Sequence, residues 1–371
     1  MAEGVASRGW ATTPRLTFGP SGCIVAVENA DSEEKVRRLT TLVLVFFCAF
    51  ALKANGADTA PLKLVARYEF PADVGSRFDH LIVDLKGHRL FTTPHKSVDV
   101  FDLDTGKLIH RITEVEVPHA LLYRQDLQRL YVTDGEPGAL KIFDGKTYSL
   151  IKSVPLLPDA DAIAYDPASN YLYIYNGGKD AKMTYSTISI VDTTRGEIVG
   201  DIKVDGDQLE TMVLESSSPK MYVNNRAKNQ VDVIDRNARK AVASWPVTLG
   251  KGNDPIALDE LNHRLFVVCR SGQLVIFDTS TGAELQALPV GEFVDDLVFD
   301  AKSKRLYAPS GVAGTIDVYE QIDANHYRSL GKVPSGPWGK TGRLVPELKR
   351  YFVPVPKNET KNAEVLVYEV Q

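Results

Sequence analysis

Two sequence markers recur seven times along the chain, and this repeat constrains the fold more than any other feature. The first marker is a strand-like run opened by Arg, Lys or Tyr, and the second is an apolar run closed by an acid. The aromatic residues of the first marker are Phe91, Tyr131, Tyr173, Tyr222, Phe266, Tyr307 and Phe352. The acids that close the second are Asp102, Asp144, Asp192, Asp235, Asp278, Glu320 and Glu369. Successive aromatic positions are 40, 42, 49, 44, 41 and 45 residues apart, a spacing typical of one supersecondary unit repeated along a chain.

Each repeat has the pattern of four short strands. In the fifth repeat, the runs "PIALD", "RLFVVC", "QLVIFD" and "AELQALPV" are separated by the turns "ELNH", "RSG" and "TSTG". Short runs rich in Val, Ile, Leu and Phe between turn residues indicate strands. We expect Asp278 to accept backbone N–H bonds within its turn and Gly282 to adopt a positive φ.

The strands are apolar on both faces, so both faces of each four-stranded unit must be covered. Four-stranded sheets stacked radially around an axis achieve this, and a period of 40–45 residues fits such blades. No 3.6-residue periodicity supports a stack of helical repeats. The sequence therefore predicts an all-β fold, a seven-bladed β-propeller of four-stranded antiparallel blades that occupies residues 62–371 as a single domain.

The two ends of this region predict how the ring closes. The seventh repeat stops after its third strand, "EVLVYEVQ", whereas residues 63–71 form an extra strand before the first repeat. We expect this N-terminal strand to complete the last blade and close the ring, burying Leu64, Val65, Tyr68 and Phe70. A closed ring leaves only short, protected sheet edges.

The N-terminal region has a different character. Residues 36–57 contain an arginine pair, an apolar core at residues 42–52 and a small-residue stretch at residues 54–57, the pattern of a signal peptide. The apolar core is too short to span a bilayer, so no membrane span is expected after cleavage. Residues 1–35 are interpreted as a non-native leader or a mis-assigned start, with translation beginning near Val36. These features predict a periplasmic or secreted protein.

Charge and cysteine content narrow the classes of function. A net charge of −5 gives no global reason to expect a nucleic-acid or anionic-membrane partner. Of the three cysteines, only Cys269 lies beyond the signal peptide, so the processed chain has no intramolecular disulfide. Because Cys269 ends an apolar run, we expect a packed core thiol.

The recurring runs "RLYVTDG", "YLYIYNG", "KMYVNNR" and "RLFVVCR" resemble the YVTN-type β-propeller repeat family, the YncE-like exported bacterial propellers. The resemblance covers residues 62–371 and implies an exported binding scaffold. Two departures are an insertion in the third repeat, "NGGKDAKMTYST", and Pro346 in place of an acid in the seventh. The motif is specific for a fold, and a fold alone does not define a function.

The mouth of the central channel is the predicted site. Residues that enter the innermost strands surround this mouth, and they are Asp79, His119, Asp161, Glu210, Asp254, Asp295 and Thr341. His80 and Asp296 lie next to them in sequence. Such oxygen ligands suit a divalent cation such as Ca²⁺, and His119 would also permit a transition metal. The alternative is that each acid caps its own strand or turn.

Loops between second and third strands open on the same face and predict a partly basic rim around an acidic centre. The rim candidates, together with His80, are His95, Lys179, Arg226, Arg270 and Trp338. This face would suit a protein, a peptide or a small-molecule ligand. Nucleic acid usually also needs aromatic stacking platforms, which are few here. A monomer is expected.

Catalytic signatures are absent from the sequence, including G-x-S-x-G, H-E-x-x-H, phosphate loops and haem-attachment motifs. The sequence therefore favours a non-enzymatic recognition scaffold. The alternative is a metal-assisted hydrolase or lactonase that uses the acidic ring, with His119 or His80 transferring the proton. An accessory role in quinoprotein oxidation rests on fold analogy alone.

Overall fold

A computed structural model describes residues 60–75 and 77–371 of the chain. The expected leader (residues 1–35) and signal peptide (residues 36–57) lie outside these residues. The described part contains seven antiparallel sheets of four strands each. Seven four-stranded blades were predicted, and the structure confirms them.

The strands are numbered in chain order. Blade 1 contains β2 (Phe78–Asp84), β3 (Arg89–Pro94), β4 (Val98–Asp102) and β5 (Leu108–Ile112). Blade 2 contains β6 (Pro118–Arg124), β7 (Arg129–Asp134), β8 (Ala139–Asp144) and β9 (Leu150–Pro155). Blade 3 contains β10 (Ile163–Asp166), β11 (Tyr171–Gly177), β12 (Tyr185–Asp192) and β13 (Glu197–Asp205). Blade 4 contains β14 (Leu209–Leu214), β15 (Lys220–Asn225), β16 (Gln230–Asp235) and β17 (Lys240–Pro246).

The remaining blades follow the same order. Blade 5 contains β18 (Asn253–Asp259), β19 (Arg264–Cys269), β20 (Gln273–Asp278) and β21 (Glu284–Pro289). Blade 6 contains β22 (Val298–Asp300), β23 (Arg305–Ser310), β24 (Thr315–Gln321) and β25 (Tyr327–Pro334). Blade 7 contains β26 (Arg343–Val345), β27 (Arg350–Val355), β28 (Glu364–Val370) and β1 (Leu62–Glu69). Within the described residues, three short 3₁₀ helices span Gly178–Ala181, Arg226–Lys228 and Pro346–Leu348.

The repeated aromatic residues form the packing between neighbouring blades. All seven lie on second strands, and each is at most 3% exposed. Phe91 of blade 1, for example, packs in one cluster with Leu121 and Phe143 of blade 2. Burying one such side chain stabilises the fold by roughly 1.5–3 kcal/mol. The aromatic position of the repeat therefore marks an equivalent packing position at each boundary between blades.

The aspartates that close third strands hold the turns that follow. Asp278 Oδ1 accepts the backbone N–H of Ser280 at 2.7 Å, and Gly282 has a φ of 76°. Asp144 likewise accepts the N–H groups of Lys146 and Thr147 at 2.9 and 2.8 Å. The turn chemistry predicted for the fifth repeat is confirmed.

The N-terminal strand closes the ring. β1 runs antiparallel to β28, from the pair Leu62–Val370 to the pair Glu69–Glu364. Tyr68 and Phe70 are buried at 7% and 3% exposure, as predicted. The expected burial of Leu64 and Val65 is wrong, because they are 38% and 42% exposed. Both lie on the outermost strand of blade 7, where neighbouring blades diverge and leave side chains open to solvent.

Cys269 is fully buried in the packing between blades 4 and 5. Burial, followed by the charges of Glu284 and Asp254, raises the pKa of its thiol to about 12. The prediction of a packed core thiol is confirmed. Over residues 60–75 and 77–371, no helix has the length and apolar character that crossing a membrane requires.

Candidate functional site

The seven predicted channel-mouth residues lie at one end of the innermost strands. Four are within strands, in β2, β6, β14 and β18, and three lie two or three residues before β10, β22 and β26. Every inner strand starts at this end, so successive blades place equivalent residues side by side around the channel. We refer to Asp79, His119, Asp161, Glu210, Asp254, Asp295 and Thr341 as the mouth ring.

His119 links three blades of the mouth ring. Its Nδ1 lies 2.7 Å from Asp79 Oδ2 of blade 1 and 3.7 Å from Asp161 Oδ1 of blade 3. Burial opposes a charged imidazole, but Asp161 and Asp79 outweigh it and raise the pKa of His119 to about 9. His119 is therefore a buried imidazolium at neutral pH.

His80 extends this chain of charges toward blade 6. Its Nε2 lies 3.3 Å from Asp79 Oδ1, and its Nδ1 lies 3.1 Å from Asp296 Oδ1. Burial again opposes the charge, but Asp296 and Asp79 raise the pKa of His80 to about 10. For Asp79, burial is outweighed by His80 and His119, so its pKa is lowered. Asp296, His80, Asp79, His119 and Asp161 thus form a continuous series of alternating charges.

Three cationic side chains occupy the other half of the ring. Arg226 Nη1 lies 2.8 Å from Glu210 Oε1 and 3.7 Å from Asp254 Oδ2. Arg270 Nε lies 2.6 Å from Asp254 Oδ2, and its Nη2 lies 3.5 Å from Asp295 Oδ1. The rim prediction is therefore refined: both arginines turn inward and separate the acids.

Lys340 completes this series, because its Nζ pairs with Asp295. Thr341, the uncharged member of the ring, donates its hydroxyl to the backbone oxygen of Asp79 at 2.8 Å and joins blade 7 to blade 1. Lys340 was not predicted from the sequence. The sequence does distinguish it: in the other six blades the residue before the ring position is uncharged, and only in blade 7 is it a lysine.

The alternation of charge is interrupted between blades 3 and 4. The Asp161 carboxylate accepts no hydrogen bond from any described residue, and burial raises its pKa. Burial also raises the pKa of Glu210, and Asp161 adds to this rise against the opposing effect of Arg226. At this boundary two acids of the ring therefore face each other without a cation between them.

Asp79, His119 and Asp161 are also the residues best placed to hold a metal. One ligand atom from each lies within 4.8 Å of the others. Two carboxylates and an imidazole fit a divalent cation. A metal bound to Nδ1 would have to displace the proton that His119 shares with Asp79, because ligating imidazole is neutral.

The other rim candidates lie further from the ring. His95 is exposed and lies near Arg77 and Lys96. The partial desolvation of its imidazole and these two positive charges lower its pKa. Lys179 is exposed on the 3₁₀ helix of blade 3. Trp338 is 52% exposed and meets Phe293 edge-on at 5.9 Å. None of these three side chains forms a hydrogen bond or ion pair with the mouth ring within the described part of the chain.

The fold and the mouth ring define a class: a seven-bladed β-propeller with a charged channel mouth. Solved structures of similar shape include a chain of the hydrazine synthase of Kuenenia stuttgartiensis, with a TM-score of 0.68 and 17% identity over 81% of this chain and 98% of that one. A chain of a mitotic checkpoint complex has a TM-score of 0.68 and 12% identity, covering 94% of this chain and 99% of the other. These identities show the fold alone.

Sequence comparison finds proteins that are similar to part of this chain. The uncharacterized protein YncE of Salmonella typhi is 30% identical over 122 residues, which is 32% of this chain and 34% of YncE. A putative BTB/POZ domain and WD-repeat protein, R783 of Acanthamoeba polyphaga mimivirus, is 25% identical over 43% of this chain and 28% of its own length. The chain thus matches about a third of the length of these relatives. No family model matches the chain. The chain is thus a seven-bladed β-propeller that is similar in sequence to YncE over about a third of its length.

Proposed function

We propose that this protein is a ligand- or protein-binding scaffold that recognises its partner through the channel-mouth face. The observation that carries the proposal is the mouth ring, in which charged side chains from six blades are held in fixed positions by ion pairs. Buried, paired charges stabilise a fold poorly compared with apolar packing, so their concentration at one end of the channel favours a role in recognition. Propellers in the mitotic checkpoint complex and among WD-repeat relatives provide supporting analogy.

The proposed site of action is the periplasm or the extracellular space. The signal-like pattern of residues 36–57 supports export, as does the single buried cysteine of the propeller, which leaves no thiol for unwanted disulfides.

Site-specific photo-cross-linking in cells tests the scaffold. A photoreactive amino acid at Lys179 samples the mouth face, and the same amino acid at Leu261, which is 89% exposed in a turn on the opposite face, is the matched control. We expect discrete cross-linked partners from position 179 and none from position 261. Equal cross-linking from both positions, or none from 179, would refute the proposal.

A metal-assisted hydrolase or lactonase is the second candidate, and the Asp79–His119–Asp161 cluster favours it. In this case the cation would polarise a carbonyl group, and His80 would handle the proton. Elemental analysis of protein purified without chelator tests the metal. A stoichiometric ion that is lost in Asp161→Asn supports the candidate. An ion-free protein whose melting temperature is unchanged by Ca²⁺ or Zn²⁺ excludes it.

A further inference from the structure

A cavity of about 400 Å³ lies between blades 3 and 4, on the face of the propeller opposite the mouth ring. The turns that follow β10 and β14 form two of its walls, and the turn that follows β16 forms a third. The volume is that of a pocket for a small molecule. Because the channel mouth is at the other end of the strands, this cavity is separate from the site described above.

Arg236 forms a fixed wall of the cavity. Its Nη1 donates to Asp166 Oδ2 at 2.7 Å, and its Nη2 donates to the carbonyls of Glu215 and Ser218 at 2.7 and 2.6 Å. Its Nε donates to the Pro219 carbonyl at 3.2 Å. The guanidinium therefore joins the two blades, and Asp166 neutralises its charge.

Arg239 carries a second positive charge, at the edge of the cavity. Its Nη1 donates to the Val199 carbonyl of blade 3 at 3.1 Å. A Cβ atom on Gly200 would lie 2.0 Å from this Nη1, so glycine makes room for the guanidinium. Among the described residues, none forms an ion pair with Arg239 or accepts a hydrogen bond from its Nε or Nη2. These two nitrogens form a fork that suits a carboxylate or phosphate group.

The repeat shows that the turn itself does not require Arg239. Glycine occupies the equivalent position in blades 1, 3 and 5, as Gly106, Gly196 and Gly282. In blade 2 the residue is Tyr148, and its hydroxyl accepts a hydrogen bond from Arg89 at 3.0 Å. The fork of Arg239 has no comparable partner in the described part of the chain, so a ligand accounts for it better than the turn does.

Uncharged polar side chains line much of the remaining wall. Ser217 and Asn237 have side chains that form no hydrogen bond to a described residue. Tyr173 is 3% exposed, and its hydroxyl lies beside Arg236 and donates to no described residue. Hydroxyl and amide groups exchange hydrogen bonds readily with the hydroxyl groups of a ligand.

We propose that this cavity binds a monosaccharide that carries an anionic group, with the anionic group at Nε and Nη2 of Arg239 and the hydroxyl groups at the uncharged side chains. Arg236, Arg239 and Asp166 give the wall one net positive charge, which selects an anion. The hydroxyl and amide groups select a hydroxylated ligand over an apolar one. The inference goes beyond the proposed scaffold, because it concerns the opposite face of the propeller.

Isothermal titration calorimetry with D-glucuronate, D-glucose 6-phosphate and D-glucose tests the proposal. We expect one of the two anions to bind about tenfold more tightly than glucose, because only an anion forms charge-assisted hydrogen bonds with the fork. The tighter of the two shows whether the anionic group is a carboxylate or a phosphate. Acetate and inorganic phosphate, which carry these groups without the sugar, should bind about tenfold more weakly than the tighter sugar anion.

Two variants test the two halves of the site. Arg239→Gly introduces the residue that blades 1, 3 and 5 have, so the turn should fold, and binding of the tighter anion should weaken about tenfold. Tyr173→Phe keeps the buried ring and should weaken this binding about fivefold. The matched control is Arg195→Gln, an exposed arginine outside the cavity wall on the same face, which should bind as the wild type does. The melting temperature of each variant reports whether it is folded.

The proposal is overturned if neither sugar anion binds more tightly than glucose, if the simple anions bind as tightly as the sugar anions, or if Arg239→Gly binds as the wild type does. Equal losses in Arg239→Gly and Arg195→Gln would also overturn it, since they would reflect net charge alone. Cross-linking at position 179 samples the other face, so this inference and the proposed scaffold succeed or fail independently.

Discussion

The charge on each mouth-ring residue depends on the neighbour it meets across a blade boundary. His119 is cationic because two carboxylates from the adjacent blades face its Nδ1. Glu210 and Asp254 each lie within 2.8 Å of an arginine, whereas Asp161 lies 3.7 Å from His119 Nδ1. Residues of the same type at equivalent positions in the ring therefore differ in what they contribute to the free energy of unfolding.

His119 should make stability fall as the pH rises above neutrality. Its folded pKa of about 9 exceeds the ordinary value of 6.5, so its contribution is complete below pH 6.5 and is lost as the pH rises through 9. Urea unfolding at pH 6.5 and pH 9.5 should show a smaller loss in His119→Gln than in the wild type. The exposed His326→Gln is the control and should retain the wild-type loss. Equal pH dependence in all three proteins would contradict the assignment.

Asp161 and Asp254 should respond differently to the same substitution. Asp254→Asn removes the partner of Arg270 and is expected to destabilise the fold by about 3 kcal/mol, as when one member of a buried ion pair is removed. Asp161→Asn removes a carboxylate that accepts no hydrogen bond from the described residues and lies 3.7 Å from His119 Nδ1, so stability should be nearly unchanged. Chemical unfolding at pH 7 measures both. Similar losses would show that the two acids are equivalent.

At the scale of single elements, β1 has the largest predicted effect. Deleting residues 62–70 removes the buried side chains of Leu62, Tyr68 and Phe70, each worth roughly 1.5–3 kcal/mol, and exposes the edge of β28. The whole ring should lose stability in one cooperative transition. Thermal melting by circular dichroism measures this, and the double variant Leu64→Ser, Val65→Ser is the control. An unchanged melting temperature after the deletion would disprove closure by β1.

The repeat was sufficient to predict the strands and the positions of the mouth ring, because both follow from counting along identical units. It was not sufficient to predict that Arg226 and Arg270 turn inward. An arginine side chain is long enough to point either way, and its direction depends on acids contributed by the next blade. The exposure of Leu64 and Val65 was missed for a related reason: their apolar character indicates a strand, but burial depends on how far neighbouring blades diverge.

At the scale of the whole molecule, the propeller and the region before it should be separated by processing. Expressed in a Gram-negative host, the protein should be recovered outside the cytoplasm with its N-terminus between Asn55 and Thr59, because the small residues at 54–57 suit signal cleavage. Mass spectrometry of the exported protein measures this terminus. Exported protein that retains residues 1–35 would contradict both the cleavage and the interpretation of that segment.

The closure of the ring also determines how the molecule responds to mechanical force. Leu62 and Val370, the outer ends of β1 and β28, are register partners at the same end of an antiparallel pair. Tension applied across them would load the hydrogen bonds of this pair one after another, as in opening a zipper. A strand pair pulled in this direction yields at low force even where many bonds connect it. A force applied between the two ends of the propeller would therefore separate β1 from β28 and open the ring at low force.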